Sequence, residues 1–201
     1  MSKRVYVSAD YDCYSGDIEV VKELNKWGED RYHKTDFIDM SKVASGSVSN
    51  NPDCRICDLK AECNSQINAS SAVIIVIVDK TAIRTAGSNC ERNRKLQFAC
   101  KCTPYKHNWL GAKYCKESIV WQSNSDCCYI NSWSYLRHEF EQAKKKGKTI
   151  IVVYNSLYKE TSWLPYYMAD YKDVAFPFWM RNDRGYIVGN YTRLKKSLGY
   201  E

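Results

Sequence analysis

The sequence predicts an α/β fold, a mainly parallel sheet covered on both faces by helices. Three observations carry that expectation. Two apolar runs, residues 73–78 and 149–154, are rich in β-branched side chains and show no polar alternation. Such runs suit strands buried on both faces. Amphipathic helical patterns lie between the candidate strands, which is the alternation of crossover units. The chain has 201 residues, 44% of them hydrophobic, enough for one domain to bury a core without metals or disulfides.

Each element follows in chain order. Residues 5–9 form a short first strand. Asp17 caps a helix that carries Ile18, Val21, Leu24 and Trp27 on roughly one face. Residues 37–40 give a second strand, and 58–70 a second helix. The run 73–78 is the third strand. Ser132 is the expected cap of a third helix, with Trp133, Leu136, Phe140 and Ala143 at helical spacing. That helix closes on Lys144, Lys145, Lys146 and Gly147, cations at the negative helix end followed by a C′ glycine. The run 149–154 is the fourth strand. Residues 174–178 make a fifth, and Pro177 marks it as a strand end or a sheet edge. A short helix over 191–198 closes the chain. Five strands in a flavodoxin-like order follow, in a single domain with no internal repeat and no low-complexity linker.

One stretch interrupts this rhythm. Residues 85–131 separate the third strand from its helix and hold six of the ten cysteines. Seven Lys/Arg against three Asp/Glu make it basic, and Phe98, Tyr105, Trp109, Tyr114, Trp121 and Tyr129 make it aromatic. A segment of that length and composition reads as an ordered insertion beside the site.

Composition narrows the function classes. The net charge of +7 is modest; it permits anionic partners without requiring nucleic acid. The longest apolar run, residues 72–78, is far shorter than the ~20 residues needed to span a bilayer. The N-terminus meets Asp10 too soon for a signal peptide. A cytoplasmic location is expected, and there the cysteines are mostly thiols.

In an open α/β sheet, ligands bind beyond the carboxyl ends of the strands, where strand order reverses. That crevice lies between the loops after the first and third strands. The first loop, residues 10–17, is short, polar and aromatic, and it runs into a helix. The second strand brings Asp39 and Ser41 to the same edge. Glu139 stands out on the third helix. It follows Leu136 and precedes Phe140, so it flanks the buried stripe, and it lies near the crevice end. A partly desolvated carboxylate there can stabilise an oxocarbenium-like sugar cation or hold ribose hydroxyls. The plainer alternative is a boundary glutamate paired with Lys146 or Arg137.

Four segments in order carry a family resemblance. Val5-Tyr6-Val7-Ser8-Ala9-Asp10-Tyr11 resembles the first strand and loop of TIR-like domains, particularly the ThsB-type proteins of bacterial Thoeris anti-phage systems. Phe37-Ile38-Asp39-Met40-Ser41 resembles their second strand, and residues 67–81 their third strand with a hydroxyl residue after it. Tyr135-Leu136-Arg137-His138-Glu139-Phe140, followed by residues 146–151, resembles their glutamate-bearing helix and fourth strand. The resemblance covers residues 3–84 and 132–180. It implies a TIR fold and cleavage of NAD+ at the nicotinamide glycosidic bond, with Glu139 as the catalytic carboxylate. It implies that Ser8, Asp10 and Tyr11 line the nucleotide pocket. The product it implies is an ADP-ribose species, cyclic in many relatives, that activates a partner effector. A homo-oligomer and a phage-derived trigger belong to the same expectation. The insertion, the region 47–63 and the Ala9-Asp10 pair depart from the family pattern.

The remaining candidates follow from residue chemistry. Tyr11, Tyr135 or Trp109 can stack on a nicotinamide or adenine ring, and each can equally be core. Ser8 can hold a ribose hydroxyl or close the strand end. Asp39 can bind substrate or hold the following turn. Cys54, Cys57 and Cys63 have a spacing that could ligate structural zinc, but free thiols are the favoured reading, so no cofactor beyond the NAD+ substrate is expected. Two other functions stay open. A non-catalytic TIR-like interaction module would ignore NAD+. A relative of the nucleoside deoxyribosyltransferases would form a covalent sugar adduct on its carboxylate. Binding of nucleic acid by the basic aromatic insertion ranks below both.

Overall fold

A computed structural model describes residues 3–11, 16–29, 35–39, 52–84, 106–108, 111–113, 133–155 and 163–200. The first strand, β1 (Lys3–Ser8), leads to helix α1 (Asp17–Glu29), strand β2 (Thr35–Asp39), helix α2 (Pro52–Ala69) and strand β3 (Ala72–Ile77). A small antiparallel pair follows, β4 (Lys106–Asn108) and β5 (Gly111–Lys113). Helix α3 (Tyr135–Lys145) then enters strand β6 (Thr149–Tyr154). The two-residue strand β7 (Phe176–Pro177), the pair β8 (Trp179–Arg181) and β9 (Ile187–Gly189), and helix α4 (Tyr191–Ser197) complete the order.

Strands β2, β1, β3 and β6 lie side by side in that order and all run parallel; β7 adds to the far edge. The solid apolar runs, β3 and β6, occupy two of the three inner positions of this order, where helices cover both faces. All six side chains of β3 are buried, as the lack of polar alternation in its sequence requires. Pro177 pairs at the outer edge, beside Tyr154, where its missing N–H costs no ladder bond. The chain order therefore reverses at β1 and β3, which are neighbours although β2 intervenes in sequence.

The period of two along β1 divides the core. Val5 and Val7 pack with Val20, Leu24, Trp27 and Phe178 on the face covered by α1. Tyr6, on the other face, packs with Cys63 and Ile67 of α2 and with Leu136 and Phe140 of α3. Within α1 the buried stripe is Val20, Val21, Leu24 and Trp27, while Ile18 is only partly covered. Polar ties join α2 to α3. His138 Nε2 lies 2.9 Å from Asn64 Oδ1, and Gln142 Nε2 donates to Asn68 Oδ1 at 3.1 Å.

Two helix starts differ from the sequence expectation. Helix α2 starts at Pro52 rather than near residue 58, because proline at the first helical position has the right φ and lacks only an N–H that would be unpaired there. Helix α3 is capped by Ser134, whose hydroxyl accepts from the N–H of Arg137 at 3.1 Å; Ser132 lies outside the described residues. Trp133 consequently precedes the helix. The β8–β9 pair was not expected. The end of α3 follows expectation, with Lys146 as C-cap and Gly147 at φ +60°. Among the described residues no helix is long and apolar enough to cross a membrane.

Candidate active site

Helix α3 runs antiparallel to β6, so its first turns stand at the carboxyl end of the sheet. Glu139 sits there on the face turned to β1 and α2, and only 4% of it is exposed. Tyr6 and Ser8 reach it from β1 because they alternate onto the same face. Cys63 reaches it from α2. Tyr6 and Ser8 are fully buried, and Cys63 is a buried free thiol.

Burial dominates the electrostatics of this cluster. It pushes the Glu139 carboxyl up to about 7. The Ser8 hydroxyl, the Cys63 thiol and the Tyr6 hydroxyl face the carboxyl and pull in the opposite sense, while Asp10 adds a smaller upward push. Neither hydroxyl completes hydrogen-bond geometry with a partner, so closeness to the carboxyl, rather than a formed bond, ties them to it. Burial, reinforced by Glu139, also pushes the Tyr6 hydroxyl and the Cys63 thiol well up. Cys63 is therefore a neutral thiol and a poor nucleophile.

Asp10 closes the other side. It follows β1, and its carboxylate accepts from Thr81 Oγ1 at 2.9 Å. Arg84 Nε lies 3.5 Å from the same oxygen. Thr81 is itself held after β3, accepting from the N–H of Val78 at 3.1 Å. The ends of β1 and β3 are thus pinned together at the strand-order reversal. Glu139 forms no ion pair with Arg137 or Lys146. The Arg137 guanidinium lies instead 4.6 Å from the Trp133 ring centre, 5.1 Å from Tyr166 and 4.9 Å from Tyr167.

The structure brings together three of the expected residues, Ser8, Asp10 and Glu139. Tyr11 adopts φ +52°, uncommon for a non-glycine residue, and packs with the core on the α1 face, across the sheet from Glu139. Tyr135 lies one turn before Glu139. The ammonium of Lys60, a buried residue of α2, is 5.9 Å from its ring and donates to the Trp133 carbonyl at 2.8 Å. Asp39 ends β2 opposite Val7, with its side chain outside the described residues. Ser41, Trp109 and the side chains of Cys54 and Cys57 also lie outside them. Cys63 faces the core rather than a surface knuckle.

Four residues join this site that sequence reasoning did not place there: Tyr6, Cys63, Arg84 and Tyr167. A tyrosine two residues before Ser8 on a strand of period two was the available signal for Tyr6. No local pattern marks the others. No family model matches the chain, and neither a curated protein nor a solved structure matches it.

Proposed function

We propose that the chain is a TIR-like enzyme of flavodoxin-like topology that cleaves NAD+. It releases nicotinamide and forms an ADP-ribose product, a cyclic one, which signals to a partner effector in bacterial anti-phage defence. The observation that carries this reading is Glu139: a buried carboxyl with no cationic partner among the described residues, at the reversal between β1 and β3. The order β2-β1-β3-β6-β7 supports the topology. The four sequence segments that resemble TIR-like domains support the substrate.

The chemistry suits these residues. Nicotinamide leaves NAD+ as a neutral base, because the electron pair of the breaking C1′–N bond cancels its ring charge. No strong general acid is needed. Positive charge then collects on the ribosyl carbon, and an ionised Glu139 stabilises it most where it is greatest, in the transition state. Near pH 7 the carboxyl is poised between its two forms, and the cationic substrate favours the ionised one. A hydroxyl or base nitrogen of the same nucleotide, held close, attacks the carbon and closes the ring. Water in its place gives open ADP-ribose.

Incubation of the purified protein with NAD+ tests the proposal. Free nicotinamide should appear with a product of the ADP-ribose mass or of that mass less water, and Glu139→Gln should abolish both. A covalent sugar adduct on Glu139 would instead favour deoxyribosyl-transferase chemistry. Intact NAD+, with self-assembly unchanged by Glu139→Gln, would favour an interaction module.

A further inference from the structure

The Arg137 guanidinium lies against three rings yet meets no carboxylate among the described residues. Its Nε is buried without a hydrogen-bond partner. The Tyr167 hydroxyl, beside it, is buried near the Ser134 hydroxyl without completing hydrogen-bond geometry. Orphaned polar atoms of this kind are rare in folded proteins and call for a physical reason. A guanidinium stacked on aromatic faces keeps its orientation and sheds part of its hydration, and its N–H groups remain available for an anion. Location gives the second reason. Arg137 and Glu139 share the first turns of α3 but point to different sides of it, and Ser134 caps the helix through the Arg137 N–H. Tyr167 feels the charges of both Asp10 and Arg137, so its hydroxyl stands near both the caged cation and the end of β1 that carries Asp10. Exposure completes the arrangement, since Tyr166 leaves 73% of its surface to solvent.

We propose that Arg137, held by Trp133, Tyr166 and Tyr167, is the phosphate-binding residue of this site and takes the diphosphate of a dinucleotide. The assignment rests on the reading of the crevice as a nucleotide site, and it adds what anchors the substrate away from the reacting carbon. An arginine fork suits phosphate oxygens, and the aromatic faces hold it in orientation. Holding the diphosphate fixes the ribosyl carbon against Glu139.

Calorimetric titration with ADP-ribose and with adenosine tests this directly. The variants are Arg137→Gln and Arg137→Lys, each checked for an unchanged melting transition. Arg137→Gln should weaken ADP-ribose binding by about tenfold or more, the loss of one charge-assisted contact. Arg137→Lys should recover part of it, and adenosine, which has no phosphate, should bind all three proteins alike. Equal ADP-ribose affinity in wild type and Arg137→Gln overturns the assignment, as does failure of the wild type to bind ADP-ribose. The two readings separate cleanly. Arginine-dependent ADP-ribose binding without NAD+ cleavage keeps this inference and removes the activity. Glutamate-dependent cleavage with an indifferent Arg137→Gln does the reverse.

Discussion

At the residue scale the molecule turns on a carboxyl that burial holds in its protonated form far longer than water would. Glu139 is raised from the ordinary 4.5 to about 7. Below 4.5 the carboxyl is protonated in both folded and unfolded chains. Between 4.5 and about 7 only the folded chain retains the proton, so stability falls as pH rises through that window and is level above it. The shift corresponds to roughly 3 kcal/mol of stability withheld at pH 8. Glu139→Gln should remove this slope and be more stable than wild type at pH 8, by up to that amount. Denaturant unfolding at about pH 5 and pH 8 would check it, and a variant with the wild-type slope contradicts the burial argument. Stability surrendered at one position is expected of a group kept for chemistry. Glu139 was legible because it interrupts a helical stripe between Leu136 and Phe140. Asp10 and Ser8 were legible too, at the end of the first strand. Tyr6 and Cys63 were not: one lies on β1 and the other on α2, and only the packing of α2 and α3 on that face of the sheet brings them to the carboxyl.

At the element scale, helix α3 is the part on which the site depends, because it presents Arg137 and Glu139 from its first turns. Ser134→Ala removes the cap bond and should cost about 1 kcal/mol. The same variant should lower NAD+ turnover more than its loss of stability explains, since fraying begins where these side chains are set. Turnover at full folding that matches wild type would contradict this. The β8–β9 pair supplies a second test. A Cβ on Gly189 would stand 2.5 Å from the Trp27 ring, which is itself stacked on Phe178 at 5.4 Å between centroids. Gly189→Ala should destabilise the protein by about 1 to 3 kcal/mol, seen as a lower melting temperature. An unchanged transition would show that Trp27 is free to move. Residues 73–78 and 149–154 were legible as strands because five or six consecutive apolar, mostly β-branched residues leave little solvent face. The β8–β9 strands were not, because three residues give no period to read. Their turn did leave a trace: Asn182 Oδ1 accepts from the N–H groups of Arg184 and Tyr186, and Gly185 takes φ +79°. The cap of α3 was misplaced because serines at 132 and 134 offer the same chemistry, and only the helix phase decides between them.

At the scale of the whole molecule, sheet order explains why the candidate site gathers at one edge. The carboxyl ends of β1 and β3 meet at the reversal. Asp10, Thr81 and Arg84 tie them there, and Glu139 lies against β1 beside them. The opposite end of β1 is fixed differently, with the Lys3 N–H donating to the Tyr200 hydroxyl at 3.2 Å and the Lys195 ammonium 3.8 Å from the same ring. The first strand is therefore clamped at one end by the last residues of the fold and at the other by the candidate site. Fold class could be read from composition and periodicity, since a parallel sheet needs only apolar runs and intervening helices. The substrate could not be read that way, and it enters through the resemblance and the geometry around Glu139. The most direct test is kcat/KM for NAD+ from about pH 5 to pH 9, in wild type and Glu139→Gln. The account predicts a tenfold rise per pH unit below about 7, a plateau above it, and a variant slower by at least about a hundredfold at every pH. Nicotinamide release that ignores pH through 7, or that survives Glu139→Gln, would contradict it.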